Sequence, residues 1–210
     1  AGWDLTVSTG DHDPQIVKLR DPKLTDGYDA VVYNFCFAKS NDLEAVSNVI
    51  KQTREKGVPA MVIHCTMHSF WSTFKNGTPV GKNNGSKAVA NSKVLADWNK
   101  ANPSKEFPIW GDFTGIASTS HGPKTPIQVD KCCDHSATKS IASTGYKTPD
   151  AELYNNFYVL DTVQPLLKGT QIQMNKQVAK KIAKGQKLND KEQKMADNPK
   201  KAEATVMWVV

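Results

Sequence analysis

Chemistry in this chain gathers where histidine and cysteine stand together. His64-Cys65-Thr66-Met67-His68 closes the apolar run Ala60–His64, and Cys36 closes an earlier one, Ala30–Phe35. If both runs are strands of an open parallel sheet, ligands bind at their carboxyl ends. Cys36 and the His64-Cys65 pair then occupy neighbouring strand ends. A turn from strand into helix presents free backbone N–H groups to an anion. An imidazole and a thiol at such a turn suit acid/base or nucleophilic work. Three readings stand side by side. In one, Cys65 is the nucleophile of a strained elbow, but elbows need small residues two positions to either side. Ile63 and Met67 hold those positions. In another, His64 and His68 form an i,i+4 pair on one helix face and ligate a divalent metal, without the glutamate of an HExxH motif. In the third, Cys65 is a small buried residue and the histidines hydrogen-bond neighbouring loops. Their place at the sheet opening favours a polar site role for His64 and His68, and a structural one for Cys65.

Three further clusters carry polar chemistry. His121 lies in Thr119-Ser120-His121-Gly122-Pro123, a loop of small residues. Cys132-Cys133-Asp134-His135-Ser136 follows the strand expected at Ile127–Asp130. Asp134 is a carboxylate that can orient His135, as in catalytic dyads, although adjacent side chains rarely face each other. Asp150-Ala151-Glu152-Leu153-Tyr154-Asn155-Asn156 sets a carboxylate, a phenol and two amides close together. That combination serves a polyol site and a solvated turn equally well.

The elements that must position these residues follow from apolar periodicity. Between the two apolar runs, Asn41 to Lys56 carries Leu43, Val46, Val49, Ile50 and Thr53 on one helical face. Asn41 with Glu44 reads as a capping box and Gly57 as the stop. Strand, capped helix, strand is a βαβ unit, and its continuous apolar runs predict strands buried on both faces. Further strands are expected at Asp4–Ser8, Phe107–Trp110, Ile127–Asp130, Phe157–Thr162 and Thr205–Val210. Residues 75–92 read as a loop or lid and 93–101 as a short helix.

A chain of 210 residues makes one domain of ordinary size, or two small ones. Hydrophobic residues at 39% exclude a disordered chain, and no apolar run is long enough for a membrane span. Residues 175–201 hold nine lysines and three acids, which accounts for the whole net charge of +6. The basicity therefore belongs to one helical insertion, broken at Gly185 and Pro199, which lacks the arginines and aromatics of a nucleic-acid surface. Four cysteines without a CxxC spacing argue against a disulfide scaffold or a zinc knuckle. The compartment is left open, with exported and cytoplasmic locations both compatible.

In this order the clusters resemble the ThuA-like, trehalose-utilisation family of bacteria. The matching stretches are Tyr28–Asn34, Gly57–Cys65, Gly115–His121, Asp134–Thr138, Asp150–Tyr154 and Gln164–Leu166. The resemblance spans roughly 1–174 and 205–210 and implies a single domain over 1–210, interrupted by the lysine-rich insertion. It implies a three-layer, flavodoxin-like α/β fold with a mainly parallel sheet, related to class I glutamine amidotransferases. It also implies a role in processing or binding sugars or oxidised (keto) sugar derivatives. Carried over position by position, His64 and His121 become acid/base or substrate-binding groups, and His135, Glu152 and Tyr154 hold substrate hydroxyls. Cys65, His68 and the insertion look like subgroup features. Family members usually extend further at both ends, so a chain truncated at both ends is expected. A non-catalytic sugar-binding or scaffolding module is the alternative. A Cys65-dependent glutamine amidotransferase ranks last, because it needs a late histidine and residues 155–210 contain none.

Overall fold

The computed structural model describes residues 4–74, 92–118, 120–156 and 158–210. The loop or lid expected at 75–92 lies, but for Ser92, outside the described residues. The chain divides into two compact units, the first from the described residues up to 117 and the second from 118 to 210.

The first unit contains helix α1 (His12–Lys18), strand β1 (Val31–Tyr33), helix α2 (Leu43–Arg54) and strand β2 (Ala60–Val62). Two 3-10 turns follow, His64–His68 and Trp71–Phe74, then helices α3 (Ser92–Ala101) and α4 (Trp110–Thr114) and a short strand β3 (Ile116–Ala117). β1 and β2 are parallel neighbours joined by α2, with Val31 opposite Ala60 and Tyr33 opposite Val62. The helix cap is Asp42, not Asn41: its carboxylate accepts the Ala45 N–H and is gripped by Arg20 at 2.7 Å. α2 buries Leu43, Ala45, Val46 and Val49. The last three pack into a core with Ile16, Leu19, Tyr33, Phe37, Phe70 and Trp110. Among the described residues of this unit, one face of the β1–β2 pair is covered. Val32 and Met61 are about 60% exposed on the other, so these strands are not buried on both sides.

The second unit holds β4 (His121–Lys131), β5 (Tyr146–Tyr154), a short β6 (Tyr158–Val159), β7 (Gln164–Gln173) and β8 (Lys200–Val209). Four of these strands form an antiparallel sheet in the order β5-β4-β7-β8. The mainly parallel, flavodoxin-like sheet implied by the resemblance is therefore overturned. The described chain has one parallel pair and a larger antiparallel sheet. The physical reason lies in the burial pattern. Along β4, Ile127 and Val129 are buried while Asp130 is exposed, and one dry face with one wet face belongs to antiparallel pairing. The dry face carries Ile127, Val129, Leu153 and Leu167. Gly145 closes the approach to β5 with φ of +68°, and a Cβ there would meet the Val129 carbonyl oxygen.

The strands expected at Asp4–Ser8 and Phe107–Trp110 do not form, since residues 4–8 carry no ladder and Trp110 opens α4 instead. The strands expected at Ile127–Asp130 and Thr205–Val210 form, with β8 beginning five residues before Thr205, whereas of Phe157–Thr162 only Tyr158–Val159 is strand, residues 161–162 turn, and Phe157 lies outside the described residues. Among the described residues, no helix is long and apolar enough to cross a membrane.

The lysine-rich segment folds as α5 (Lys176–Ala183) and α6 (Asp190–Asp197), separated by Gly185 at φ of +64°. It interrupts a hairpin, because Gln173 on β7 pairs directly with Lys200 on β8. Val178 is the buried side chain of α5, and α6 buries none. Replacing residues 174–199 with Asn-Gly, which closes two-residue hairpins, should leave one cooperative unfolding transition. The loss should stay within about 3 kcal/mol, the burial of one valine. Denaturation monitored by circular dichroism checks this; loss of cooperativity would show that the insertion is part of the core.

Candidate functional site

The first unit builds its polar site from a strand end and a turn. Beyond β1 the chain runs on through Phe35 and Phe37, whose rings stack 4.6 Å apart. The Thr66 hydroxyl, fully buried, lies 3.1 and 2.9 Å from the Tyr33 and Phe35 carbonyl oxygens and accepts the Phe35 N–H at 2.8 Å. Ser69 Oγ accepts the Phe37 N–H, and the Phe70 N–H donates to the Phe37 carbonyl. Trp110 Nε1 donates to the Thr66 carbonyl at 2.8 Å, fixing the turn from behind. Cys36 is thus pinned on both sides to the turn that carries Cys65 and His68.

That turn is 3-10. At three residues per turn, positions i and i+3 eclipse, whereas i and i+4 diverge. Cys65 therefore stands over His68, with Sγ 3.5 Å from His68 Nε2. Cys36 Sγ reaches the same nitrogen at 3.6 Å. The three ligand-type atoms lie within 4.8 Å of one another. Cys36 is exposed, Cys65 half-buried and His68 buried. His64 opens the turn with φ of +52°, so the left-handed residue of this strand-to-turn corner is His64 and not Cys65. None of the four cysteines is joined in a disulfide. Sequence reasoning does not connect Cys36 with His68, though its position at the neighbouring strand end is the available signal.

In the second unit, antiparallel pairing sets His121 opposite Tyr154 and Lys124 opposite Glu152. Glu152 is the centre. Its side chain is 12% exposed, with His121 Nε2 at 3.7 Å and Lys124 Nζ at 3.6 Å. The His121 and Tyr154 rings lie 5.7 Å apart, and His121 Nδ1 is 2.8 Å from its neighbour's carbonyl oxygen. A recessed carboxylate, a phenol, and two cation-forming groups at the rim can accept from one hydroxyl while donating to another oxygen. His135 sits elsewhere. It follows the far end of the 11-residue β4, roughly 30 Å from His121 at strand rise. There its Nδ1 caps a short turn by accepting the Ala137 N–H. With Lys131, Asp134, Ser136 and Lys139 it lines an open depression of about 360 Å³. His64 and His68 belong to the first unit and His121, His135, Glu152 and Tyr154 to the second.

One buried amide holds the second site together. β4 carries Pro123 and Pro126, and its register with β5 slips around both. Gln171, on β7, is 1% exposed, and its Nε2 lies 3.0 Å from the carbonyls of Pro123, Thr125 and Ala151. The amide thus reaches the Ala151 carbonyl on facing β5 and two carbonyls of β4 itself, tying the strands together where the prolines break the ladder. Lys168, further back on β7, pairs with Glu203 at 2.9 Å on the exposed face.

Comparison with family models, curated proteins and solved structures yields no match.

Two substitutions test these positioning arguments. Thr66→Val keeps the shape and strands the backbone groups of Tyr33 and Phe35, so denaturant titration should show a loss of about 1–3 kcal/mol. Gln171→Leu should cost a similar amount and shift the amide resonances of 121–125 and 150–154. An unchanged spectrum in those stretches would mean that the strands hold their irregular register without it.

Proposed function

We propose that the chain binds sugars or oxidised sugar derivatives through His121, Lys124, Glu152 and Tyr154, the role that its resemblance to the ThuA-like family implies. The observation that carries this reading is the recessed Glu152 carboxylate flanked by an imidazole and an ammonium. A carboxylate between two donors suits vicinal hydroxyls, each of which gives one hydrogen bond and takes another. Where one hydroxyl is oxidised to a ketone, the acceptor remains and the donor is lost. His121 and Lys124 are then the complementary partners, because both can donate to a carbonyl oxygen. The Tyr154 ring, buried behind the site, backs the His121 imidazole at 5.7 Å between ring centres. If the protein turns its ligand over, a protonated His121 is placed to polarise that carbonyl, and Glu152 to take a proton from the adjacent carbon or hydroxyl.

A panel of glucose, trehalose and 3-keto-glucosides, titrated by calorimetry and assayed for turnover, tests the proposal. Glu152→Gln should weaken binding about tenfold, the worth of a hydrogen bond to a charged group. His121→Ala should lower any turnover by about 10²–10⁴. Binding without turnover would identify the chain as a sugar-binding module. No binding, or binding indifferent to Glu152→Gln, would remove sugars from this site.

A further inference from the structure

The first unit holds a second constellation whose chemistry differs from that of Glu152. We propose that Cys36, Cys65 and His68 bind one zinc ion through Sγ, Sγ and Nε2, leaving a fourth position to water. Zinc takes thiolate at about 2.3 Å and imidazole at about 2.0–2.1 Å in a tetrahedral shell. Those bond lengths place a ligating sulfur and nitrogen about 3.5 Å apart along an edge of the tetrahedron. The two sulfur-to-nitrogen distances are 3.5 and 3.6 Å. All three atoms lie within 4.8 Å of one another, so closing the two sulfurs to the tetrahedral edge of about 3.8 Å asks for a small side-chain rotation of the exposed Cys36.

The fold prepares this arrangement. Cys65 and His68 are eclipsed by the 3-10 turn. Cys36 comes from a separate strand end, held on either side by Thr66 and Ser69. Three ligands from two segments that hydrogen bonds already fix lose little freedom on binding, which favours affinity. Donor chemistry selects the ion. Two thiolates with one neutral imidazole suit zinc, and hard cations such as magnesium or calcium want oxygen. Two thiolates balance the ion's charge, so the loaded centre is neutral apart from its water. The exposed Cys36 provides the entry path. Three protein ligands with an open fourth position is the arrangement of catalytic rather than structural zinc. Binding displaces the thiol protons, so affinity should rise with pH.

The test uses the full chain, reduced and stripped of metal with a chelator. Cobalt(II) serves as the spectroscopic probe and zinc as the competitor. The expected result is one cobalt per chain, with thiolate charge-transfer and tetrahedral ligand-field bands that zinc abolishes stoichiometrically. Cys36→Ser and Cys65→Ser should each weaken zinc binding by at least about 100-fold, more than the loss of an outer-shell partner. Cys132→Ser, Cys133→Ser and His64→Ala should leave it unchanged. His68→Gln should remove the site. Because His68 is buried, the exposed Cys36→Ser decides the question if that variant fails to fold. No thiolate band, or zinc binding that survives Cys36→Ser, overturns the proposal. So does a reduced protein without zinc affinity whose Cys36 and Cys65 oxidise to a disulfide, which would make the pair a redox couple instead.

Discussion

The Thr66 hydroxyl is the contact on which the first unit depends. A strand that leaves its sheet must find other partners for its backbone groups, because an unpaired buried N–H or carbonyl costs as much as a lost hydrogen bond. β1 pairs with β2 only as far as Tyr33. Beyond it, Thr66 takes the Phe35 N–H and approaches two carbonyls, and Ser69 takes the Phe37 N–H. Side-chain hydroxyls therefore continue the ladder after the strand has ended. This substitution has two consequences. Phe35 and Phe37 stay in register to pack on Phe70 and Trp110, and Cys36 between them faces the turn rather than the core. An α-helix at 64–68 would offset Cys65 from His68 by about 60° around the axis, where the 3-10 turn stacks them directly. The 3-10 turn and the hydroxyl ladder must form together for the three donors to meet.

The second unit solves a related problem with an amide. Prolines in β4 remove donors from the ladder, and an antiparallel sheet tolerates them only where something else satisfies the facing carbonyls. Gln171 does so for Ala151 from the next strand, and takes two carbonyls of β4 itself. The resulting irregularity is local to the stretch between His121 and Gln128. A regular strand would alternate His121 and Lys124 to opposite faces. The slip between these two residues lets both approach Glu152. The charge cluster and the irregularity thus share a cause, since the bulge that weakens the ladder is what concentrates charge around one carboxylate.

What the sequence disclosed tracks the range of the interactions involved. The βαβ unit was legible because it is local: Leu43, Val46 and Val49 repeat at helical spacing between two apolar runs. The grouping of Glu152 with Tyr154 was legible because two residues apart on a strand share a face. His121 was reached only through a resemblance, and its pairing with Tyr154 is a matter of register between residues far apart in the chain. The mainly parallel sheet failed because it came with the family resemblance, while the residues themselves supported only one crossover unit. The alternation of Ile127 and Val129 with polar neighbours already pointed to a one-sided sheet. The pairing of Cys36 with His68 was not legible because it depends on a 3-10 turn, and so short a segment carries no periodic signature that separates 3-10 from α. His64 and His68 share a face only in the α reading.

Charge in the second unit is settled between adjacent elements, which explains how a strongly basic insertion leaves its sheet undisturbed. Lys181 on α5 meets Glu192 on α6 at 2.6 Å, and Glu192 also completes a capping box with Asn189. The Lys181 hydrogen bond, then the Asn189 backbone N–H, hold the Glu192 carboxyl below its usual range. Where the insertion rejoins the sheet, Glu203 takes Lys168 and Lys201 at 2.9 Å each. Their hydrogen bonds, Lys168 first, lower the Glu203 carboxyl to about 2. A carboxyl depressed on folding contributes above its ordinary value of 4.5, and the contribution fades as pH falls toward 2. Because these groups are exposed, salt screens them and the gain is small. Their larger effect is on register: Glu203 on β8 and Glu192 on α6 each find a lysine from the neighbouring element in the observed pairing. A one-residue slip of β8 would turn Glu203 to the opposite face, away from Lys168, and set Ala202 and Ala204 on the wet side. The hydrophobic and ionic patterns therefore select the same register from opposite faces of one strand.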